Sequence, residues 1–93
     1  MRLAEGPNVI GREPPAGVVI PHPSVSREHA RIEVEGDRAV LEDLGSKNGT
    51  WRSEMRLAGR VALANGDELR IGTVRLTYRG PAARVPEETE TYV

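Results

Sequence analysis

Ninety-three residues make one domain, a size that buries roughly 60–70% of the surface its unfolded chain exposes, and leave no room for a second catalytic domain. The net charge of -1 splits into +2 over residues 1–84 and -3 over 85–93, far from the strongly basic field that duplex DNA binding requires. Cysteine is absent, which removes disulfides and thiolate metal sites; no apolar run approaches the ~18–20 residues of a membrane span and no cleavable leader is visible, so a soluble cytoplasmic protein with no nucleic-acid or membrane partner is expected.

Along the chain, apolar residues recur at every second position in short windows bounded by Gly, Pro, Asn and Asp, the period of half-buried strands. Strands are predicted at 8–10 and 17–20, then at 30–35, where Ala30, Ile32 and Val34 alternate with Arg31, Glu33 and Glu35. Further strands are predicted at 39–43, 50–52, 61–62, 69–71 and 74–78. Gly36-Asp37 and Asn65-Gly66 read as hairpin turns, because such pairs tolerate positive φ, and Asn48-Gly49 as the turn before Trp51. Pro14-Pro15 and Pro21-His22-Pro23 belong to loops, since proline cannot donate to a ladder. No stretch carries a 3.6-residue apolar repeat. Eight or nine short strands predict an all-β sandwich over 1–80, followed by an acidic tail at 81–93. With only Trp51, Tyr78 and Tyr92 as aromatics, the core is expected to be Val, Ile, Leu and Ala, and stacking platforms for single-stranded nucleic acid are missing.

Three turn-like stretches carry the polar groups of interest: Gly11-Arg12, Ser26-Arg27-Glu28-His29, and Gly45-Ser46-Lys47-Asn48-Gly49-Thr50. Each adjoins a short apolar strand. A phosphothreonine brings about -1.5 to -2 charges and three strong acceptor oxygens, so its receptor must aim several donors at one point. Converging charge-assisted hydrogen bonds of roughly 1.5–3 kcal/mol each make the phosphate decisive, whereas one exposed ion pair contributes only about 0–1 kcal/mol. Arg12, Ser26, Arg27 and Lys47 can do this if the fold gathers their loops at one end. The Asn48 carboxamide both donates and accepts, which suits it to a peptide backbone.

At these residues the chain resembles the forkhead-associated domain family. The matching segments are Ile10-Gly11-Arg12, Val25-Ser26-Arg27-Glu28-His29-Ala30, Leu41 to Trp51 with Gly45-Ser46-Lys47-Asn48-Gly49-Thr50 at its centre, and Leu63-Ala64-Asn65-Gly66-Asp67-Glu68-Leu69 followed by Ile71-Gly72. They cover about residues 8–79 in the family's order and spacing. The resemblance implies a sandwich of two twisted, mainly antiparallel sheets whose loops at one end bind phosphothreonine in a partner protein. Such a module serves as an adaptor or regulator in Ser/Thr-kinase signalling, with the kinase or its substrate as partner. It also implies that Arg12 and Ser26 contact the phosphate, that Arg27 and Lys47 assist, and that Asn48 holds the peptide backbone. Gly11, His29 and Gly49 match loop-shaping positions. Ser24 lies where the family varies its choice of the side chain three positions after the phosphothreonine. One departure stands out: the family has a strand ahead of the one ending at Gly11-Arg12, and here that strand is expected to be missing, leaving an open edge beside the last strand. An unpaired edge invites another chain, so a phosphate-independent scaffold or an oligomerisation domain is the alternative function.

Several residues carry competing readings. Ser26 can also open the strand at Ala30 by bonding its own backbone. Ser26, His29 and Asp43 tempt one toward a hydrolytic trio, yet no oxyanion hole or strained nucleophile turn accompanies them, and a buried loop brace is expected of His29. His22 and His29 lack a third ligand, so no metal and no cofactor are expected; nor is an enzyme. Trp51 reads as packing, and Arg31, Arg70, Arg75 and Arg79 as the wet face of the sheets. Thr89 and Thr91 sit among glutamates, as kinase acceptor sites often do, and once phosphorylated would enter the binding site of another molecule; the plain reading of the tail is a solubilising end.

Overall fold

A computed structural model describes residues 3–80. Nine strands follow in chain order: β1 (Gly6–Gly11), β2 (Val18–Val19), β3 (Ala30–Glu35), β4 (Arg38–Asp43), β5 (Thr50–Arg52), β6 (Met55–Arg56), β7 (Val61–Ala62), β8 (Glu68–Ile71) and β9 (Val74–Thr77). They form a five-stranded sheet in the order β2-β1-β3-β4-β7 and a four-stranded sheet in the order β6-β5-β8-β9. All pairings are antiparallel except β1 with β2.

Strand alternation explains why two sheets result. Ala30, Ile32 and Val34 of β3, Ala39 and Leu41 of β4, and Leu69 and Ile71 of β8 are buried, while their neighbours face outward. Neither sheet can bury its apolar face alone, and the two close on one cluster that also takes in Ile10, Val18, Val25, Leu63 and Tyr78. Among the described residues no helix is long and apolar enough to cross a membrane.

The register places the loops. Ile10 pairs with Ala30 and Ala30 with Asp43, so the end of β1, the start of β3 and the end of β4 lie side by side. In the other sheet Thr50 pairs with Ile71 and Ile71 with Val74, aligning the start of β5, the end of β8 and the start of β9. Residues 12–29, 44–49 and 72–73 connect these ends.

The structure departs from the sequence expectation in four places. β6 carries no alternation signal, because it is two residues long and both are exposed. The expected strand at 17–20 contracts to Val18–Val19, and β1 begins earlier, at Gly6. Asn65-Gly66 is not a hairpin turn: it leads from β7 in one sheet to β8 in the other, and the hairpins of the small sheet turn instead at Ser53 (φ 55°) and Gly72 (φ 63°). β9 is an edge strand among the described residues, and an apolar cleft of about 160 Å³ lined by Leu3, Ile10, Ile20, Leu69 and Leu76 lies beside it.

Candidate functional site

Arg12 follows the last residue of β1 and is held against the loop that precedes β3. Its backbone N–H donates to the Ser26 carbonyl at 3.0 Å, and its Nη1 donates to the Val25 carbonyl at 3.0 Å. Val25 is fully buried and pins this loop to the core. The close approach needs Gly11, because a Cβ there would collide with the Arg27 carbonyl. The guanidinium of Arg12 is thereby fixed one residue from the Ser26 hydroxyl.

The loop after β4 is wound around Asp43. Its carboxylate accepts from the Ser46 hydroxyl (2.6 Å), the Thr50 hydroxyl (2.6 Å) and the backbone N–H groups of Gly45 (2.9 Å) and Ser46 (3.0 Å). Burial pushes this carboxyl up, but the hydrogen bonds to its charged form outweigh it and hold it below the ordinary carboxylate range. Ser46 Oγ in turn accepts from the Gly49 N–H at 2.9 Å, which closes the turn presenting Lys47 and Asn48.

The two loops are joined directly. Lys47 N–H donates to Ser26 Oγ at 3.1 Å, and Asn48 Nδ2 donates to the Ser24 carbonyl at 2.9 Å. The Ser26 hydroxyl thus accepts from the neighbouring loop and keeps its own hydrogen to donate outward. The backbone group that this hydroxyl meets is that of Lys47, 21 residues away.

His29, fully buried, braces both loops: Nδ1 accepts from the Ser26 N–H at 3.0 Å and Nε2 lies 2.7 Å from the Gly49 carbonyl. Nδ1 accepts, so Nε2 is the nitrogen that donates, to the Gly49 carbonyl. Both ring nitrogens are committed to backbone groups and Asp43 is committed to Ser46 and Thr50, so Ser26, His29 and Asp43 form no hydrolytic relay.

A third loop completes the cluster. Gly72 N–H donates to the Gly49 carbonyl at 3.0 Å; Thr73 N–H donates to Ser24 Oγ at 3.0 Å, and its hydroxyl lies 3.0 Å from the same atom. Ser24 Oγ also lies 2.9 Å from His22 Nδ1. Arg12, Ser26, Lys47, Asn48 and Ser24 are therefore gathered by hydrogen bonds of the backbone and side chains, whereas the exposed Arg27 lines a surface cleft with Glu13 and Glu28. Among the described residues the ion pairs are Arg31–Glu42 and Arg75–Glu68, and neither involves Arg12, Arg27 or Lys47. No metal-ligand cluster occurs among them. Thr89 and Thr91 lie outside the described residues. Reading the sequence missed Asp43 as the hub and Thr73 as a partner of Ser24. The Asp43-to-Ser46 spacing is the local signal for the first; the second spans 49 residues and leaves none.

The family model for the FHA domain matches residues 8–72. The chain belongs to the FHA family. It is 40% identical over 68 residues to the glycogen accumulation regulator GarA of Mycolicibacterium smegmatis, covering 73% of this chain and 42% of that protein. An FHA domain solved for the structural and functional analysis of phosphothreonine-dependent FHA domain interactions superposes with a TM-score of 0.79 at 39% identity, covering 83% of this chain and 79% of that one. EmbR of Mycobacterium tuberculosis, in complex with a low affinity phosphopeptide, gives a TM-score of 0.74 at 34% identity over 80% of this chain and 20% of that one. The chain spans about half or less of the length of the curated relatives GarA and FhaB. As an FHA domain, it has the all-β, two-sheet architecture of these neighbours, with Arg12, Ser26 and Asn48 inside the matched region.

Proposed function

We propose that this domain is a phosphothreonine-dependent, non-catalytic protein–protein interaction module working in Ser/Thr-kinase signalling. Arg12 and the Ser26 hydroxyl bind the phosphate, Lys47 and Arg27 assist, and Asn48 holds the bound peptide's backbone. Ser24 contributes to the choice of residues beside the phosphothreonine. The observation that carries this reading is the joining, at Ser26, of the loop before β3 and the loop that crosses from β4 in one sheet to β5 in the other: the Arg12 guanidinium bonds the carbonyl just before Ser26, and the Lys47 amide bonds its hydroxyl. A dianion placed there meets a guanidinium, a hydroxyl and an ammonium from three stretches of chain, the convergence that makes recognition depend on the phosphate. The FHA neighbours described as phosphothreonine-dependent or phosphopeptide-bound support it.

The experiment is a calorimetric titration of one peptide in its phosphothreonine and plain forms against the wild-type chain and Arg12→Ala. The reading requires binding of the phosphorylated form alone and its weakening by about tenfold or more in the variant. Equal affinity for both forms defeats it.

A second reading has one observation in its favour. The open edge of β9, with half-buried Val74 and Leu76 beside the apolar cleft, fits a strand added from another chain. A mass that rises with protein concentration in sedimentation supports a scaffold or oligomerisation role; a monomer over the whole range rejects self-pairing.

A further inference from the structure

The outer face of the small sheet carries a row of cations that the phosphate site leaves unused. Register sets Arg56 of β6 opposite Trp51 of β5, Trp51 opposite Arg70 of β8, and Arg70 opposite Arg75 of β9. Residues directly opposite share a face, so these four side chains form one lateral line across all four strands, while Thr50, Leu69 and Ile71 point into the core. The Cζ atoms of Arg56 and Arg70 lie 5.2 Å and 3.8 Å from the centroid of the Trp51 ring, within the roughly 6 Å reach of a cation–π contact.

The ring orients these guanidinium groups but does not neutralise them. Arg75 has Glu68 at 3.1 Å, whereas Arg56 and Arg70 enter no ion pair among the described residues. Arg70 Nε is buried without a hydrogen-bond partner among them, beside the indole on which its guanidinium stacks. Two cations over one indole repel each other, an arrangement that an anion relieves. Arg56 is exposed and Arg70 half-buried with its Nε covered, so a carboxylate reaches the pair through the Nη groups.

The row ends at the candidate phosphate site. Gly49 has φ of 90°, and a Cβ on it would come within 2.8 Å of Trp51 Cη2 and 2.9 Å of Arg56 Nε. Trp51 and Arg56 thus roof the residue next to Asn48. A peptide held by Asn48 and running off this side of the pole meets Arg56 first and Arg70 next.

We propose that Arg56 and Arg70, stacked on Trp51, form a second subsite that reads glutamate or aspartate side chains flanking the phosphothreonine on the same partner segment. This rests on the phosphothreonine reading above. The test uses anisotropy with the full chain and three phosphothreonine peptides of equal length: one with neutral flanks, one with three glutamates before the phosphothreonine, one with three after it. A plain-threonine version of the neutral peptide shows whether phosphate dependence itself holds.

One acidic placement is expected to bind about five- to tenfold more tightly than the neutral peptide, the gain of a few partly exposed pairs acting together. That acidic-to-neutral ratio falls to about one in Arg56→Gln and drops below one in Arg56→Glu. The inference is overturned if neither acidic placement exceeds a twofold gain while phosphate dependence is intact, or if the ratio is the same in wild type and both variants. Arg56 is exposed on a two-residue edge strand, so folding survives; matching melting curves confirm it. Equal binding of the phosphorylated and plain neutral peptides would instead sink the phosphothreonine reading.

Discussion

Arginines on the large sheet and arginines at the loop pole are treated differently by this fold. On β3, Arg31 Nη2 meets Glu42 of β4 at 2.6 Å, its cross-strand neighbour, and the charge is answered within the domain. At the pole, Arg12 is held by two bonds to a backbone carbonyl loop and meets no carboxylate among the described residues. Carbonyl bonds orient a guanidinium without cancelling its charge, so Arg12 is positioned and still electrically available. Position alone does not mark a binding cation; what its hydrogen bonds neutralise does.

The sharpest way to break the comparison is to dislodge the pole itself. Gly11→Ala drives a methyl into the Arg27 carbonyl, which displaces the loop bearing Ser26. It is expected to abolish phosphopeptide binding and to lower stability by about 1–3 kcal/mol, read by melting and titration together. Gly17→Ala, where a Cβ meets nothing within 4 Å, is expected to leave both unchanged.

Next come the charges. Arg12→Ala is expected to weaken phosphopeptide binding about 10- to 100-fold with little change in melting temperature, as the loss of a charge-assisted contact of roughly 1.5–3 kcal/mol implies. Arg31→Ala, whose charge is already paired, is expected to leave binding unaltered in the same titration. If both variants behave alike, the distinction drawn between the two regions is wrong.

Asp43 tests how the pole is built. Its carboxyl is depressed, so its contribution to stability is complete above the unfolded value of about 3.9 and is lost as pH falls through the lower folded value. Asp43→Asn is expected to remove that acid limb from a melting-against-pH curve and to cost about 1 kcal/mol near neutrality, a figure discounted for its partial exposure. Binding has a separate limb near pH 6, where the phosphate loses its second charge; the variant should retain it. The smallest effect is expected from Lys47→Ala, a two- to fivefold loss of affinity that shrinks in high salt, since an exposed ammonium is screened.

Much of this was legible in the sequence because the information is local. The alternation through Ala30, Ile32 and Val34 names β3 and its buried face, and the blocks at Gly11-Arg12, Ser26-Arg27 and Lys47-Asn48-Gly49 mark the loops that converge. What escaped is set by contacts between distant residues. β6 exists because it pairs with β5 and not because Met55 and Arg56 favour a strand. Ser24 is tied to Thr73 and to the Asn48 carboxamide, neither of which a local pattern can reveal. Trp51 reads as packing, yet its cross-strand arginines emerge only from the register.

The most direct test is amide chemical-shift mapping of the labelled chain during titration with a phosphothreonine peptide. The largest shifts are expected at Arg12, Ser26, Lys47 and Asn48, with Val74 to Thr77 of β9 little moved. Shifts concentrated along the β9 edge, with those four amides unmoved, would contradict it.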